Sequence, residues 1–357
     1  MTGTRILARS GALLVVCIAA ACQSSSSLDL GPAITDETAG SGSVLMWTRS
    51  DSEIVFSVAP WKAGALKAFR VSDGAERTID TGKAYQAASR APAGDELYYV
   101  ADVSPSINAR AMRLYEASSG RELASMGDLT SFAVNPDGQR IAFARGRPEP
   151  AGLPVRSTSQ TFILNVADSR LSELVPCRIP LRFSRDGSQL LCQTGKYDYR
   201  VEPAIVDLAS GASAALPERF GNLIGLGPAH FGVDLNWTSS GLRAVYRSDT
   251  SSVEVVVENA ATGDRTILRA DGVPGIIVNQ PIWSPDGTLV AFAKEECHDS
   301  KPVCDRRVRL IVADVGRGTS NVIAVGRDVV GAIAFSNDAR RIAYVLDGAV
   351  RLRRLRW

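Results

Sequence analysis

A stretch of about ten residues recurs along the chain, and its clearest copy runs from Trp283 to Phe292. The centre of this copy, Ser284-Pro285-Asp286-Gly287, has the residues of a tight turn. Proline presets φ at the second position, aspartate can accept bonds from nearby backbone N–H groups, and glycine supplies a positive φ. The apolar run that follows suits a strand buried on both faces. The stretch therefore predicts two strands joined by a tight turn.

Six further copies keep the same spacing between their first and last residues. They begin at Trp47, Arg90, Val134, Phe183, Trp237 and Phe335 and end, in the same order, at Phe56, Tyr99, Phe143, Cys192, Tyr246 and Tyr344. The first residues of successive copies lie about 43 to 54 residues apart. That interval accommodates four short strands with their turns, which is one blade of a β-propeller.

The sequence therefore predicts an all-β fold, a β-propeller of four-stranded blades. Seven copies predict seven blades. Six blades is the alternative, because the copy that begins at Trp47 lacks both proline and glycine at its turn. In the sixth blade, strands are expected at 282–284, 289–293, 308–314 and 321–325.

The last copy leaves room for only two further strands, at 341–346 and 349–355. A propeller closes its ring by completing one blade with strands from both ends of the chain. A fourth strand of the last blade would then come from the N-terminal segment, where 28–34 is a candidate.

These copies resemble the WD40-like propeller repeats of the TolB type, whose consensus is close to W-S-P-D-G-x-x-I-A-F. The resemblance covers nearly the whole chain after residue 40 and is closest in the copies at Val134, Phe183, Trp283 and Phe335. It implies a β-propeller and says little about function, because the motif residues form turns and contacts between blades. TolB itself has six blades behind a separate N-terminal domain, and we expect no such domain here.

The first 21 residues have the features of a targeting segment. Arg5 and Arg9 precede an apolar run that is short for a membrane span, and the run ends at Ala19-Ala20-Ala21-Cys22. This end resembles a bacterial lipobox, so 1–21 is expected to be a lipoprotein signal peptide and Cys22 the lipid anchor. An ordinary signal peptide is the alternative.

The segment that follows the anchor predicts how the domain is attached. Residues 22–42 are rich in serine and glycine and are expected to form a tether, with 43–357 forming a single propeller domain. Gln23 replaces the aspartate that often retains lipoproteins at the inner membrane. We therefore expect a lipid-anchored protein of the bacterial cell envelope, on the outer membrane where the organism has one.

Charge limits the classes of partner. The chain has 40 basic and 38 acidic residues, and the two arginines of the targeting segment account for the whole excess. A neutral mature protein argues against a nucleic-acid partner, which calls for a basic face. The arginines at 351, 353, 354 and 356 fit a solvated strand better than an anion site. The predicted partner is an envelope protein or peptide, and the propeller is expected to be a monomer.

Four cysteines remain once Cys17 leaves with the signal and Cys22 takes the lipid, and in an exported protein they are expected to form disulfides. Of the three possible pairings, proximity favours Cys177 with Cys192 and Cys297 with Cys304. Two buried free thiols remain the alternative for the first pair. A zinc site at Cys297 and Cys304 has little support, because there is no C-x-x-C motif.

Catalytic motifs are absent from the sequence: there is no G-x-S-x-G, H-E-x-x-H, P-loop or calcium loop. His230 and His298 are the only histidines, and we expect neither to be catalytic. No catalytic residue, cofactor or metal is predicted.

The favoured function is a non-enzymatic binding or scaffold module. The alternatives are a lactonase- or lyase-like enzyme at the pore mouth and a carbohydrate binder that would use Trp61, Tyr197 and Tyr199.

Overall fold

A computed structural model of the chain describes most of the predicted domain. The described residues are 44–59, 63–91, 93–104, 111–127, 131–147, 158–194, 202–217, 220, 234–238, 241–247, 254–268, 275–279, 281–297, 306–327 and 330–356. Cys22, the targeting segment, the tether and the candidate strand at 28–34 lie outside them.

The described strands form antiparallel sheets that follow one another along the chain. Blades one to four consist of β1 Leu45–Trp47, β2 Glu53–Val58, β3 Gly64–Arg70, β4 Glu76–Arg90, β5 Leu97–Asp102, β6 Met112–Glu116, β7 Glu122–Gly127, β8 Phe132–Val134, β9 Arg140–Arg147, β10 Thr158–Asn165, β11 Leu171–Leu174, β12 Ile179–Phe183, β13 Gln189–Thr194, β14 Glu202–Asp207 and β15 Ser213–Ala215.

The remaining strands form blades five to seven. They are β16 Asp234–Thr238, β17 Gly241–Arg247, β18 Val255–Asn259, β19 Arg265–Leu268, β20 Ile276–Ile277, β21 Ile282–Trp283, β22 Leu289–Cys297, β23 Arg306–Asp314, β24 Thr319–Gly326, β25 Ile333–Phe335, β26 Arg341–Leu346 and β27 Ala349–Arg354. The sixth blade confirms the four predicted strands, although β22 continues beyond the expected end at 293 and β20 adds a second short pairing to it.

Strand β4 belongs to two blades, which is why the first two blades appear as one seven-stranded sheet. Its first half pairs with β3, from Glu76 to Lys83, and its second half pairs with β5, from Ala84 to Arg90. The outer strand of blade one therefore runs directly into the inner strand of blade two.

The turn of the sixth blade has the predicted geometry. The Gly287 N–H donates to the Ser284 carbonyl at 2.9 Å, and Gly287 has φ +75°. The Asp286 carboxylate accepts from the Thr288 N–H at 3.1 Å and from the Ser284 hydroxyl. A Cβ on Gly287 would lie 2.5 Å from the Thr238 side chain of the preceding blade. Glycine is therefore needed both for its backbone conformation and for contact between blades.

The first copy folds in the same way without glycine, so it lies inside the ring and the strands fit seven blades rather than six. The Asp51 N–H donates to the Thr48 carbonyl at 3.0 Å, which is the equivalent turn bond. Asp51 stands where the other copy has Gly287 and adopts φ +53°. Aspartate is one of the few residues with a side chain that tolerates this region.

The residues that end the seven copies occupy equivalent buried places. Phe56, Tyr99, Phe143, Cys192, Tyr246, Phe292 and Tyr344 are each at most 6% exposed. Six of them pack in a cluster with residues of the preceding blade; Phe292, for example, packs with Val245 and Val257 of blade five. Phe56 instead packs with Val345 and Val350 of blade seven. The hydrophobic core therefore lies between blades, and its last segment closes the ring.

The last blade has three strands among the described residues, with β27 at its outer side. Its arginines are only partly solvated. Arg351 and Arg353 are half-buried and Arg353 donates to the Ile323 carbonyl, whereas Arg354 and Arg356 are exposed. The predicted solvated strand is therefore correct only in part, since Arg354 is the one exposed arginine of β27 and Arg356 follows the end of the strand.

The structure contains the disulfide between Cys177 and Cys192, which joins the entry to blade four to its second strand with a Cα–Cα distance of 5.5 Å. Both residues are fully buried. Cys297 ends β22, but Cys304 lies outside the described residues, so the bond between these two stays a prediction.

Candidate functional site

All seven blades contribute to one open cavity of about 670 Å³ at the centre of the ring. It lies where the first strand of each blade ends and turns into the second, because its lining consists of the last residues of those strands and parts of the turns. We call it the channel mouth. Its lining includes Met46, Trp47, Ser89, Arg90, Ala133, Val134, Pro136, Arg182, Phe183, Arg185, Asp234, Asn236, Trp237, Ile282, Trp283, Pro285, Ala334, Phe335 and Asn337.

The first residue of every copy lies in this lining. These residues are Trp47, Arg90, Val134, Phe183, Trp237, Trp283 and Phe335, and we call them the channel ring. In the sequence, this repeat position would be interpreted as a residue that packs within a strand. In the structure it also forms the wall of the channel. Six members are apolar and five of those are aromatic, while Arg90 is the charged exception.

Indole groups of the channel ring connect neighbouring blades. Trp47 Nε1 donates to the Ala334 carbonyl at 3.0 Å, which links blades one and seven, and Trp283 Nε1 donates to the Asp234 carbonyl at 3.2 Å, which links blades six and five. The guanidinium of Arg341 lies 4.8 Å from the Trp47 ring. Trp237 Nε1 is buried and has no acceptor among the described residues. Two of the three tryptophans in the wall therefore form hydrogen bonds to a neighbouring blade.

Arg90 also forms hydrogen bonds to neighbouring blades. Its Nε donates to the Trp47 carbonyl at 2.9 Å, and its guanidinium also donates to the Asn337 side chain of blade seven. Burial lowers the pKa of Arg90, although a guanidinium remains charged at any physiological pH. Arg90 therefore holds three blades together, and most of its donors are occupied.

Blade four supplies two further arginines. Arg182, the residue before Phe183 in the channel ring, forms an ion pair with Asp234 at 3.3 Å and keeps 42% of its side chain exposed. The other Asp234 oxygen accepts from the Trp283 N–H at 3.1 Å. Arg185 is exposed and has no hydrogen bond or ion pair with any residue that the structure describes. Asp234 offsets Arg182, so Arg90 and Arg185 leave the channel mouth with a net charge of about +2 at neutral pH.

Two buried glutamates away from the channel form ion pairs inside the blades. Glu258 is fully buried and accepts from the Tyr246 hydroxyl at 2.6 Å and from Arg265 at 2.9 Å. Glu296 pairs with Arg309 at 2.8 Å. These pairs stabilise the contacts around them and offer no open site.

The described residues contain neither a metal site nor the histidines and aromatic residues considered as candidates in the sequence. Among the described residues, no group of three His, Cys, Asp or Glu side chains could hold a metal ion. His230, His298, Trp61, Tyr197 and Tyr199 all lie outside those residues. Within the same part of the chain, no helix has both the length and the apolar character needed to cross a membrane.

No model of a known protein family and no curated protein matches the chain. Solved structures do match it. An oligogalacturonate lyase in complex with manganese has a TM-score of 0.61 at 13% identity, with 87% of this chain and 88% of the lyase covered. The β-propeller domain of Cps50 (Swd1) from Myceliophteria thermophila has a TM-score of 0.56 at 12% identity, with 91% and 100% covered.

TolB from Acinetobacter baumannii matches with a TM-score of 0.48 at 15% identity; the match covers 78% of this chain and 62% of TolB, so the chain spans less than two thirds of TolB's length. At identities this low, the matches to the lyase and to the Cps50 domain show the fold alone. The chain is a β-propeller, as the resemblance to WD40-like repeats implied.

The arginines of blade four and Asp234 were missed in the sequence, although a signal for Arg182 was present. The residue before the channel-ring position is small, apolar or an amide in six copies, and it is arginine only in blade four. The position two residues after is proline in the copies at Arg90, Val134 and Trp283, and it is arginine in the first and fourth copies, as Arg49 and Arg185. Comparing the copies position by position, rather than for their shared pattern, would therefore have singled out Arg182.

Proposed function

We propose that the chain is a non-enzymatic lipoprotein of the bacterial cell envelope whose propeller acts as a protein-binding or scaffold module. The observation that carries this proposal is the channel mouth, an open cavity that all seven blades share. Its volume of about 670 Å³ lies within the range of ligand pockets, which is roughly 300–1,000 Å³. The proposal includes a monomeric propeller, no nucleic-acid partner and no cofactor.

The lining has the composition of a protein-binding surface. Tryptophan, phenylalanine and arginine are enriched at protein interfaces, and the first two supply most of the channel ring. The indole and guanidinium bonds between blades hold the wall in place before a partner arrives. A preformed site loses less conformational entropy on binding than one that must be ordered.

Attachment to the membrane is the second part of the proposal. A Cys22 lipid followed by a flexible tether of about 20 residues would hold the propeller roughly 25 Å from the membrane surface on average. That distance lets the channel mouth meet a partner in the envelope without crowding by lipid headgroups.

The anchor is tested by Cys22→Ala. Because one thiol carries the lipid, the variant should move from the membrane fraction to the soluble periplasm or medium, while its melting temperature stays that of the lipidated protein. The measurement is fractionation followed by immunoblotting. Membrane association that is unaffected by the substitution would remove the lipoprotein part of the proposal.

The binding surface is tested by photo-crosslinking in intact cells. A photoreactive amino acid is placed at Asn236, in the channel mouth, or at the exposed Ser172 on the outer strand β11. An adduct of one defined mass is expected from Asn236 and none from Ser172. Equal labelling from both positions, or from neither, would contradict a partner at the channel mouth.

An enzyme acting at the pore mouth is the second candidate, and the match to a lyase that holds manganese favours considering it. The positive channel mouth would suit an anionic sugar chain as well as a peptide. A carbohydrate binder without catalysis is the related alternative. Incubating the protein with oligogalacturonate and manganese separates these functions, since a lyase reaction creates an unsaturated product that absorbs ultraviolet light. No absorbance is expected.

A further inference from the structure

We infer that blade four makes the channel mouth selective for a peptide segment bearing a carboxylate, with Arg185 as the main contact and Arg182 as the second. This inference rests on the proposed function, because it names the ligand chemistry of the same cavity. The occupant is an acidic side chain, or a chain-terminal carboxylate, that enters the mouth next to apolar side chains.

The two arginines differ in how they are held. Arg182 donates one bond to Asp234 at 3.3 Å, and a guanidinium has five N–H donors, so most of them remain available. Asp234 in turn is fixed by the Trp283 N–H, which orients Arg182 towards the seam of blades four and five. Arg185 is exposed and free of bonds to the described residues. One ordered and one adaptable guanidinium can together bind a carboxylate through paired, charge-assisted bonds.

Local charge favours one carboxylate. Around blade four, Arg182, Asp234 and Arg185 carry a net charge of about +1 at neutral pH, which one carboxylate neutralises. Arg90 supplies the remaining positive charge of the channel mouth, but most of its donors already bond to protein oxygens. A phosphate group, at −1.5 to −2, would bring excess negative charge close to Asp234. The chain is neutral apart from its targeting segment, so its net charge provides no overall attraction for a polyanion.

The neighbouring wall favours a peptide. Phe183, of the same blade as the arginines, and Trp237, of the same blade as Asp234, line the cavity together with Trp283 and Phe335. An acidic residue beside an apolar residue can place its carboxylate on the arginines and the apolar side chain on Trp237, which is partly exposed, whereas the other three rings are at most 7% exposed. Aromatic faces also accept sugar rings, so an acidic oligosaccharide is treated below as an outcome of the test.

The experiment selects ligands from a random heptapeptide library displayed on phage, with the otherwise complete chain carrying Cys22→Ala as bait. Peptides that bind should contain Asp or Glu beside an apolar residue. Their affinity, measured by fluorescence anisotropy, should fall about 10- to 100-fold in Arg185→Gln, since the variant loses the charge-assisted bonds to the carboxylate. Arg182→Gln should weaken binding less, because Asp234 already competes for that side chain.

Controls separate binding from folding. Arg317→Gln removes an exposed arginine that lies outside the channel mouth, and it should leave affinity unchanged. Arg185→Lys keeps the charge but loses the paired geometry, so its affinity should be intermediate. Because Arg185 is exposed, Arg185→Gln should melt at the same temperature as the parent. Raising the salt concentration should weaken binding of the parent and affect Arg185→Gln much less.

Three outcomes overturn the inference, and they bear differently on the proposed function. Peptides without acidic residues, bound at the channel mouth as judged by loss of binding in Trp237→Ala, would remove the carboxylate specificity and leave the binding module. Enrichment of no peptide, with Arg185-dependent binding of oligogalacturonate instead, would assign the site to carbohydrate. Enrichment of no peptide and no binding of oligogalacturonate would count against both the inference and a binding role for the channel mouth.

Discussion

Phe292→Ala is expected to lower the free energy of unfolding by about 3–5 kcal/mol. The side chain is 1% exposed and packs with Val245, Val257 and Trp283 between blades five and six. Truncation removes buried apolar surface and leaves a cavity that two sheets held by their own hydrogen bonds cannot close. The measurement is denaturant unfolding followed by circular dichroism and tryptophan fluorescence, which should give one coincident transition.

Asp286→Ala is the matched control, because it changes a residue of the same copy without touching the packing between blades. It removes the bonds from Asp286 to Thr288 and Ser284, at an expected cost of about 1 kcal/mol. A cost for Asp286→Ala equal to that of Phe292→Ala would mean that the turns, rather than the packed faces, dominate stability.

The strands and their buried residues could be predicted because the rules that produce them are local. A Pro-Asp-Gly turn fixes where two strands meet, and the period of two along a strand fixes which side chains face a neighbouring blade. In blade six this gives the observed register of Trp283 with Val290. The same rule placed Cys192 in the packing position that other copies fill with an aromatic residue, next to its disulfide partner.

The functional surface could be predicted much less well, because it exists only once the ring is closed. Arg182 and Asp234 are about 50 residues apart in the chain and meet only where blades four and five converge. The channel ring likewise depends on seven strand ends reaching one centre, although each of its residues had been identified as the start of a copy. Local patterns specify the blades, whereas the site depends on how the blades are arranged around the axis.

Asp51 contributes to closure of the ring, and this role could not be predicted from the sequence. There, the position was notable only because it lacks the glycine found in other copies. The Asp51 carboxylate lies at the seam between the first and last blades and is 8% exposed. It accepts from the Asn337 N–H at 2.8 Å, from the Asn337 side-chain amide at 2.6 Å and from the Asp338 N–H at 3.1 Å. The equivalent Gly287 makes room for the neighbouring blade, whereas Asp51 reaches across to bind it.

Asp51→Ala should therefore destabilise the protein by about 3 kcal/mol, since it leaves two backbone N–H groups at the seam without acceptors and places alanine at a positive φ. Asp51→Asn tolerates that backbone and keeps one acceptor oxygen, so it should cost about half as much. Ser50→Ala, one residue earlier and exposed, should change stability by less than about 0.5 kcal/mol.

Hydrogen exchange provides the decisive measurement: in Asp51→Ala, amides of β1 and β25 should lose protection before those of β13, because the ring opens first at its seam. Uniform loss of protection around all seven blades would show that Asp51 contributes to general stability and does not close the ring.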